Sequence, residues 1–160
     1  MSSKPLFLAV LSIAVFCVAS NVRAEITPTN AVDVTKSAPA LDEKRLFALG
    51  AIETGNNDRE VGAAGEISRF QINPAVWKSY SDSRSYQDPK VAEVVARQHW
   101  ASLAKYFTEK TGRAPDDFDM YVLWNTRFGY YARKEFSPRL LSPVVRDRAQ
   151  RFVNLVNSKD

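Results

Sequence analysis

The chain has 160 residues, 45% hydrophobic and 25% charged, the make-up of one ordinary folded domain. A formal charge of +4 with no dense run of lysine and arginine argues against a nucleic-acid partner. A single histidine and a single cysteine exclude the usual zinc ligand set and any internal disulfide.

Residues 1–24 read as a secretory signal peptide. Lys4 gives a positive start, residues 6–19 an almost unbroken apolar run, and Val22-Arg23-Ala24 a small-x-small cleavage site. The run falls short of the roughly 20 residues a spanning helix needs, so no stable membrane insertion is expected after cleavage. Cys17 lies within this leader behind Phe16, which is too large for a lipoprotein cleavage box, so no lipid anchor is expected. Loss of the leader lowers the formal charge from +4 to +2, still mildly basic, which favours approach to an anionic wall polymer. The expected location is secreted or periplasmic. Residues 25–40, rich in Thr, Asn, Ala, Ser and Pro, read as a flexible tether. Residues 41–158 then form one domain without internal repeats, expected to be a monomer, and long enough to bury a core without disulfides.

Asp42 can cap a helix whose Leu46, Leu49, Gly50 and Glu53 fall at i, i+3, i+4 and i+7, with Gly55 as its stop. Glu53 therefore shares a face with leucines that should point to the core. Partial desolvation favours the protonated carboxyl, the bias a general acid needs near neutral pH. A surface glutamate at a helix end is the plain alternative. In the loop that follows, Gly62 and Gly65 permit positive φ and close backbone approach. Gln71 lies between Phe70 and Ile72, where an extended backbone would turn its amide away from both neighbours, toward a sugar hydroxyl or a loop carbonyl.

Asn73-Pro74 opens a short helix through Trp77, and residues 81–87 are polar loop. Asp88-Pro89 starts the longest helix, running to about Thr111 and stopped by Gly112. One stripe on it holds Val91, Val94, Val95, Gln98 and Ala101, and another Ala92, Ala96, His99, Leu103 and Tyr106. Apolarity over so wide an arc predicts the central helix of the domain, with His99 a core-edge residue. Pro115 and Asp116 open a further helix with Phe118, Tyr121, Val122 and Asn125 on one face. Trp124 beside Asn125 offers an apolar wall and an amide, as a sugar site would, or Trp124 is plain core. Ser142-Pro143 caps the last helix, whose stripe is Val145, Ala149, Phe152, Val153 and Val156; Arg146, Arg148 and Arg151 are expected on its solvated side.

Glu53-Thr54-Gly55, then Val61, Gly65 and Gln71-Ile72, and later Trp124-Asn125, together resemble the motifs of the lysozyme-like lytic transglycosylases, in the order and spacing of their soluble catalytic domains. Ser68 stands in place of a family glycine and Arg69-Phe70 in place of Leu-Met. Trp124 replaces the tyrosine that in much of the family donates to the acid, so Tyr121 or Tyr130 would have to do so. The glycine expected soon after Asn125 comes only at Gly129.

The resemblance implies a mainly α, lysozyme-like single domain with at most a small β element near residues 66–72. It implies Glu53 as the single catalytic acid. Glu53 would protonate the oxygen between N-acetylmuramic acid and N-acetylglucosamine, then act as base on the muramoyl 6-hydroxyl to give a 1,6-anhydro product. Thr54, Glu66, Ser68, Gln71, Tyr121, Trp124 and Asn125 would lie at the substrate. The partner would be a peptidoglycan glycan strand, with no cofactor and no metal. Two alternatives stay open: a hydrolytic muramidase in which Glu66 is the second carboxylate, and a helical domain that binds the wall without cleaving it.

Overall fold

The computed structural model describes residues 37–158; the signal-peptide reading of residues 1–24, Cys17 included, and most of the tether lie outside them. Helices begin where short polar side chains can take up orphan backbone N–H groups. Asp42 accepts from Arg45 N at the start of α1 (Glu43–Thr54), which ends at Gly55 in the left-handed conformation. Asn73 caps α2 (Pro74–Lys78), and Asp88 caps α3 (Pro89–Thr111), which Gly112 closes at φ 71°. Asp116 and Asp119 form a reciprocal capping box at α4 (Asp117–Asn125). A short α5 (Phe128–Arg133) and a 3-10 turn (Pro138–Leu140), neither foreseen in the sequence, lead to α6 (Pro143–Asn157), capped by Ser142. The fold is mainly helical. Its only β pairing among the described residues is the antiparallel bridge between Ile67 and Ile72.

The central element is α4, not α3 as its two stripes suggested. Five consecutive residues of α4, Asp119, Met120, Tyr121, Val122 and Leu123, are buried, which only a helix covered on several sides permits. It packs on α6 and α3, and α6 in turn packs on α1. On α3 a single face is covered, formed by Ala92, Val95, Ala96, Trp100, Leu103, Ala104 and Phe107, while Val94 is 56% exposed. Tyr121 of α4 stacks on Phe152 of α6 at 5.3 Å between ring centroids. Phe152 also meets Trp100 of α3, so it joins three helices, and truncation to alanine there would cost about 3–5 kcal/mol.

The packed chain reaches back past the expected boundary at Leu41. Trp100 Nε1 donates to Pro39 O at 2.8 Å, Arg97 donates to Leu41 O, and Leu41 itself is buried. An indole N–H inside the core must find an acceptor, and residues 37–41 supply it. The buried residue that looks anomalous is Asp119. Its carboxylate takes hydrogen bonds from Arg113, Tyr131 and the Asp116 amide, which is how a charge tolerates burial.

Candidate active site

Glu53 sits on the last turn of α1, where the stripe begun by Leu46 and Leu49 carries it inward. Its side chain is 8% exposed. The Tyr121 hydroxyl, brought by α4, donates to Glu53 Oε1 at 2.7 Å. Arg148 Nη2, brought by α6, stands 3.5 Å from Oε2. Burial pushes the Glu53 carboxyl above the usual glutamate range and Glu66 adds to the push, while Tyr121 and Arg148 oppose it. Burial prevails, so this acid holds its proton more firmly than a free glutamate does. The same burial, with Glu53 alongside, raises the Tyr121 hydroxyl and keeps it a donor.

Glu53 opens onto a cleft of about 660 Å³, within the usual size of ligand-binding clefts. Glu66, Gln71, His99, Trp124, Asn125, Arg127 and Arg148 all line it. Gln71 reaches the cleft by a different route from the extended backbone expected. A tight turn over residues 68–71 closes the Ile67–Ile72 bridge, with Gln71 N donating to Ser68 O and both Ser68 and Gln71 at positive φ. That conformation is uncommon outside glycine, and here it sets the amide at the cleft wall, its Nε2 donating to the loop carbonyl of Ser68 at 3.3 Å, while Phe70 and Ile72 stay buried. Gly62 lies so close beneath that a methyl group on it would run into Gln71 Oε1 and Glu66 Oε2. Gly65, at φ 83°, supplies the turn. A bidentate Arg69–Asp58 pair, both contacts 2.5 Å, staples the loop.

Three residues expected at the substrate do not line the cleft. Thr54 Oγ1 donates to Arg69 O and accepts from Asn57 N, tying the helix end to the loop, and does not line the cleft. Ser68 is 2% exposed, and its hydroxyl accepts from Phe70 N. It backs a separate, smaller hollow of about 290 Å³ between residues 58–68 and 84–88, away from Glu53. A third, Tyr121, is fully buried and acts through Glu53 instead of meeting a ligand. Of the two candidate donors it is the one in place; the Tyr130 hydroxyl instead accepts from Ser142 N. Trp124 unites both of its readings: its Nε1 donates to Phe70 O and its ring touches Trp100, while another part borders the cleft.

Three ionisable cleft residues, His99, Arg127 and Arg148, escaped the sequence reading. Arg148 was assigned with Arg146 and Arg151 to the solvated side of α6, yet it is four residues before the buried Phe152, so on the helix it is only about 40° from the core stripe. That offset was the available signal. His99 borders the cleft against Trp124, with its Nδ1 3.4 Å from the Tyr80 hydroxyl. Burial lowers its pKa to about 4, so it is neutral near pH 7. Among the described residues no group of three His, Cys, Asp or Glu is placed to hold a metal ion. No family model, curated protein or solved structure matches the chain.

Proposed function

We propose that the chain is a secreted or periplasmic peptidoglycan-cleaving glycosidase of lysozyme-like fold, working as a lytic transglycosylase on bonds between N-acetylmuramic acid and N-acetylglucosamine. The observation that carries the reading is a glutamate 8% exposed, with raised proton affinity, at the wall of an open 660 Å³ cleft. Peptidoglycan glycan strands are the partner this cleft suits. Trp124 offers an apolar face, and Gln71 and Asn125 offer amides for sugar hydroxyl and acetamido groups.

Oε1 of Glu53 accepts from Tyr121, so the transferable proton belongs on Oε2, the oxygen nearer Arg148. Oε2–H gives its proton to the glycosidic oxygen as the C1–O bond breaks. The carboxylate left behind is met by the Tyr121 hydroxyl and the Arg148 guanidinium. It then takes the proton of the muramoyl 6-hydroxyl, whose oxygen bonds to C1. Glu53 ends as it began, no water is consumed, and the product is a 1,6-anhydro end.

Glu53→Gln tests the acid with almost no change of shape. A positioned general acid contributes about 10²–10⁴ in rate, so wall cleavage should fall at least that far while binding to sacculi persists. Unchanged lysis would reject Glu53 as the acid, and parent protein that binds sacculi without cleaving them would be a wall-binding domain. One observation favours a second reading: Glu66 lines the same cleft, and its charge reaches Glu53. A water held between the two carboxylates would give a hydrolytic muramidase. One Glu66 oxygen is already engaged by Ala64 N, which speaks for the lone-acid route. Mass spectrometry separates the two, because the anhydro product is one water lighter than the hydrolytic one.

A further inference from the structure

The substrate contacts proposed above leave two arginines in the cleft without a ligand group to bind. Arg148 is 37% exposed, and its 3.5 Å approach to Glu53 is long beside the roughly 2.7–2.9 Å of a closed charge-assisted bond. It stands near the acid without being locked to it. Arg127, exposed at the start of α5, lines the same cleft and makes no ion pair among the described residues.

The charge balance turns on Glu53. When it is ionised, two arginines face two carboxylates, Glu53 and Glu66. When it carries the proton that a general acid must carry, one positive charge is left over. The working form of the cleft is therefore the form that attracts an anion. Reach limits where that anion can sit. A general acid lies about 2.6–3.2 Å from the oxygen it protonates, which places the Arg148 guanidinium within about 8 Å of the cleaved bond. A muramoyl residue carries its 3-O-lactyl carboxyl on the ring whose C1–O bond breaks. That carboxyl is an anion when no peptide is attached and a neutral amide when one is. The carboxylates of a stem peptide lie further out along the chain.

We infer that Arg148 is a specificity-determining residue: it binds a carboxylate on the muramoyl unit at the cleaved bond, the free lactyl group before a stem-peptide one, and so directs the site to peptide-free glycan strands. The inference rests on the glycosidase reading of the same cleft. It couples recognition to chemistry. Glu53 is surrounded by Tyr121 from α4, Arg148 from α6 and Glu66 from the loop, with His99 of α3 and Arg127 of α5 elsewhere in the cleft. A substrate carboxylate that takes up the Arg148 guanidinium weakens its hold on ionised Glu53 and adds a negative charge nearby, so the proton stays on. By reciprocity, protonated Glu53 strengthens binding of the carboxylate.

The test measures kcat/KM on peptide-free strands, on the same strands with lactyl carboxyls converted to methyl esters, and on peptide-bearing strands. It uses the parent, Arg148→Gln and Arg148→Lys. A bond to a charged group corresponds to about a tenfold preference or more, so the parent should favour free over esterified strands by at least that factor. The ratio should fall to near one in Arg148→Gln and return in part in Arg148→Lys. The alkaline limb of the parent's kcat should lie higher on free strands than on esterified ones. A preference for peptide-bearing strands that disappears in Arg148→Gln would overturn the lactyl assignment and place the ligand of Arg148 on the stem peptide instead. Equal rates on all three, or a preference that survives Arg148→Gln, would overturn the inference and leave the glycosidase reading standing. If nothing is cleaved, that reading fails separately. Calorimetry of free and esterified strands on Glu53→Gln, with and without Arg148→Gln, then decides the inference by the same dependence.

Discussion

Replacing Tyr121 by phenylalanine removes one oxygen from the site and leaves its surroundings nearly intact. The ring is fully buried and stacked on Phe152 with an interplanar angle of 23°, contacts that phenylalanine keeps. What goes is the 2.7 Å hydrogen bond to Glu53 Oε1. That bond favours the carboxylate over the neutral acid and restrains the upward push of burial. A hydrogen bond to a charged group contributes about 1.5–3 kcal/mol, more than one to the neutral acid, so its loss should raise the proton affinity of Glu53 further. Arg148, at 3.5 Å and 37% exposed, is too loosely placed to substitute for it.

Two readouts follow, and they move in opposite senses. The alkaline limb of glycan cleavage should shift upward, because the acid keeps its proton longer. The plateau rate should fall, on the order of tenfold to a hundredfold, because the carboxyl has lost the contact that fixes its orientation. Carbon-13 NMR of side-chain-labelled glutamate follows the titration directly in both proteins, without any need for turnover. A Glu53 resonance that titrates at the same pH in parent and Tyr121→Phe, or at a lower one, would refute the account of how this acid is tuned.

Stability should record the same electrostatics. Because Glu53 titrates above its unfolded value, the native chain keeps a proton that the unfolded chain releases as pH rises through about 4.3, and stability falls across that window. Glu53→Gln should therefore be more stable than the parent at pH 7 in urea melts, with the gain gone below pH 4. His99 has the opposite sign: with a folded pKa of about 4 against about 6.5 unfolded, it costs stability as pH falls through that interval. His99→Phe, which can fill the space beside Trp124, should flatten the parent's stability loss between those values, as thermal melts across pH would register. Gly62→Ala puts a methyl group where Gln71 Oε1 and Glu66 Oε2 now lie; the flexible ends can move, so kcat/KM should drop several-fold while the melting temperature changes little.

The helices were legible wherever their limits are set locally. Asp42, Asn73-Pro74, Asp88-Pro89 and Ser142-Pro143 each act on N–H groups within three residues, and Gly55 and Gly112 end helices by a conformation that glycine adopts freely. Helix α5 has no side-chain cap bond and spans six residues, so nothing local announces it. The exchange of roles between α3 and α4 has a different cause. Periodicity reports which faces could be buried, not how many partners arrive to cover them. Asp119 adds to the cover of α4 only because Arg113 and Tyr131, from the preceding loop and from α5, meet its buried carboxylate.

Glu53 marks how far a single stretch of sequence can go. Its place on the stripe with Leu46 and Leu49 indicated desolvation, the largest influence on its proton affinity. The opposing influences come from Tyr121, 68 residues away, and Arg148, 95 residues away, and these decide how far the shift can go. An acid wholly without donors would hold its proton too firmly to give it up, and one closed tightly onto an arginine would not hold it at all. The working value lies between, set by one short bond to a buried hydroxyl and one long contact to a guanidinium half in solvent. That division makes the tyrosine a fixed constraint and the arginine the adjustable one, so a ligand entering the cleft can change the proton affinity of Glu53 by displacing Arg148 as well as by its own charge and by excluding water.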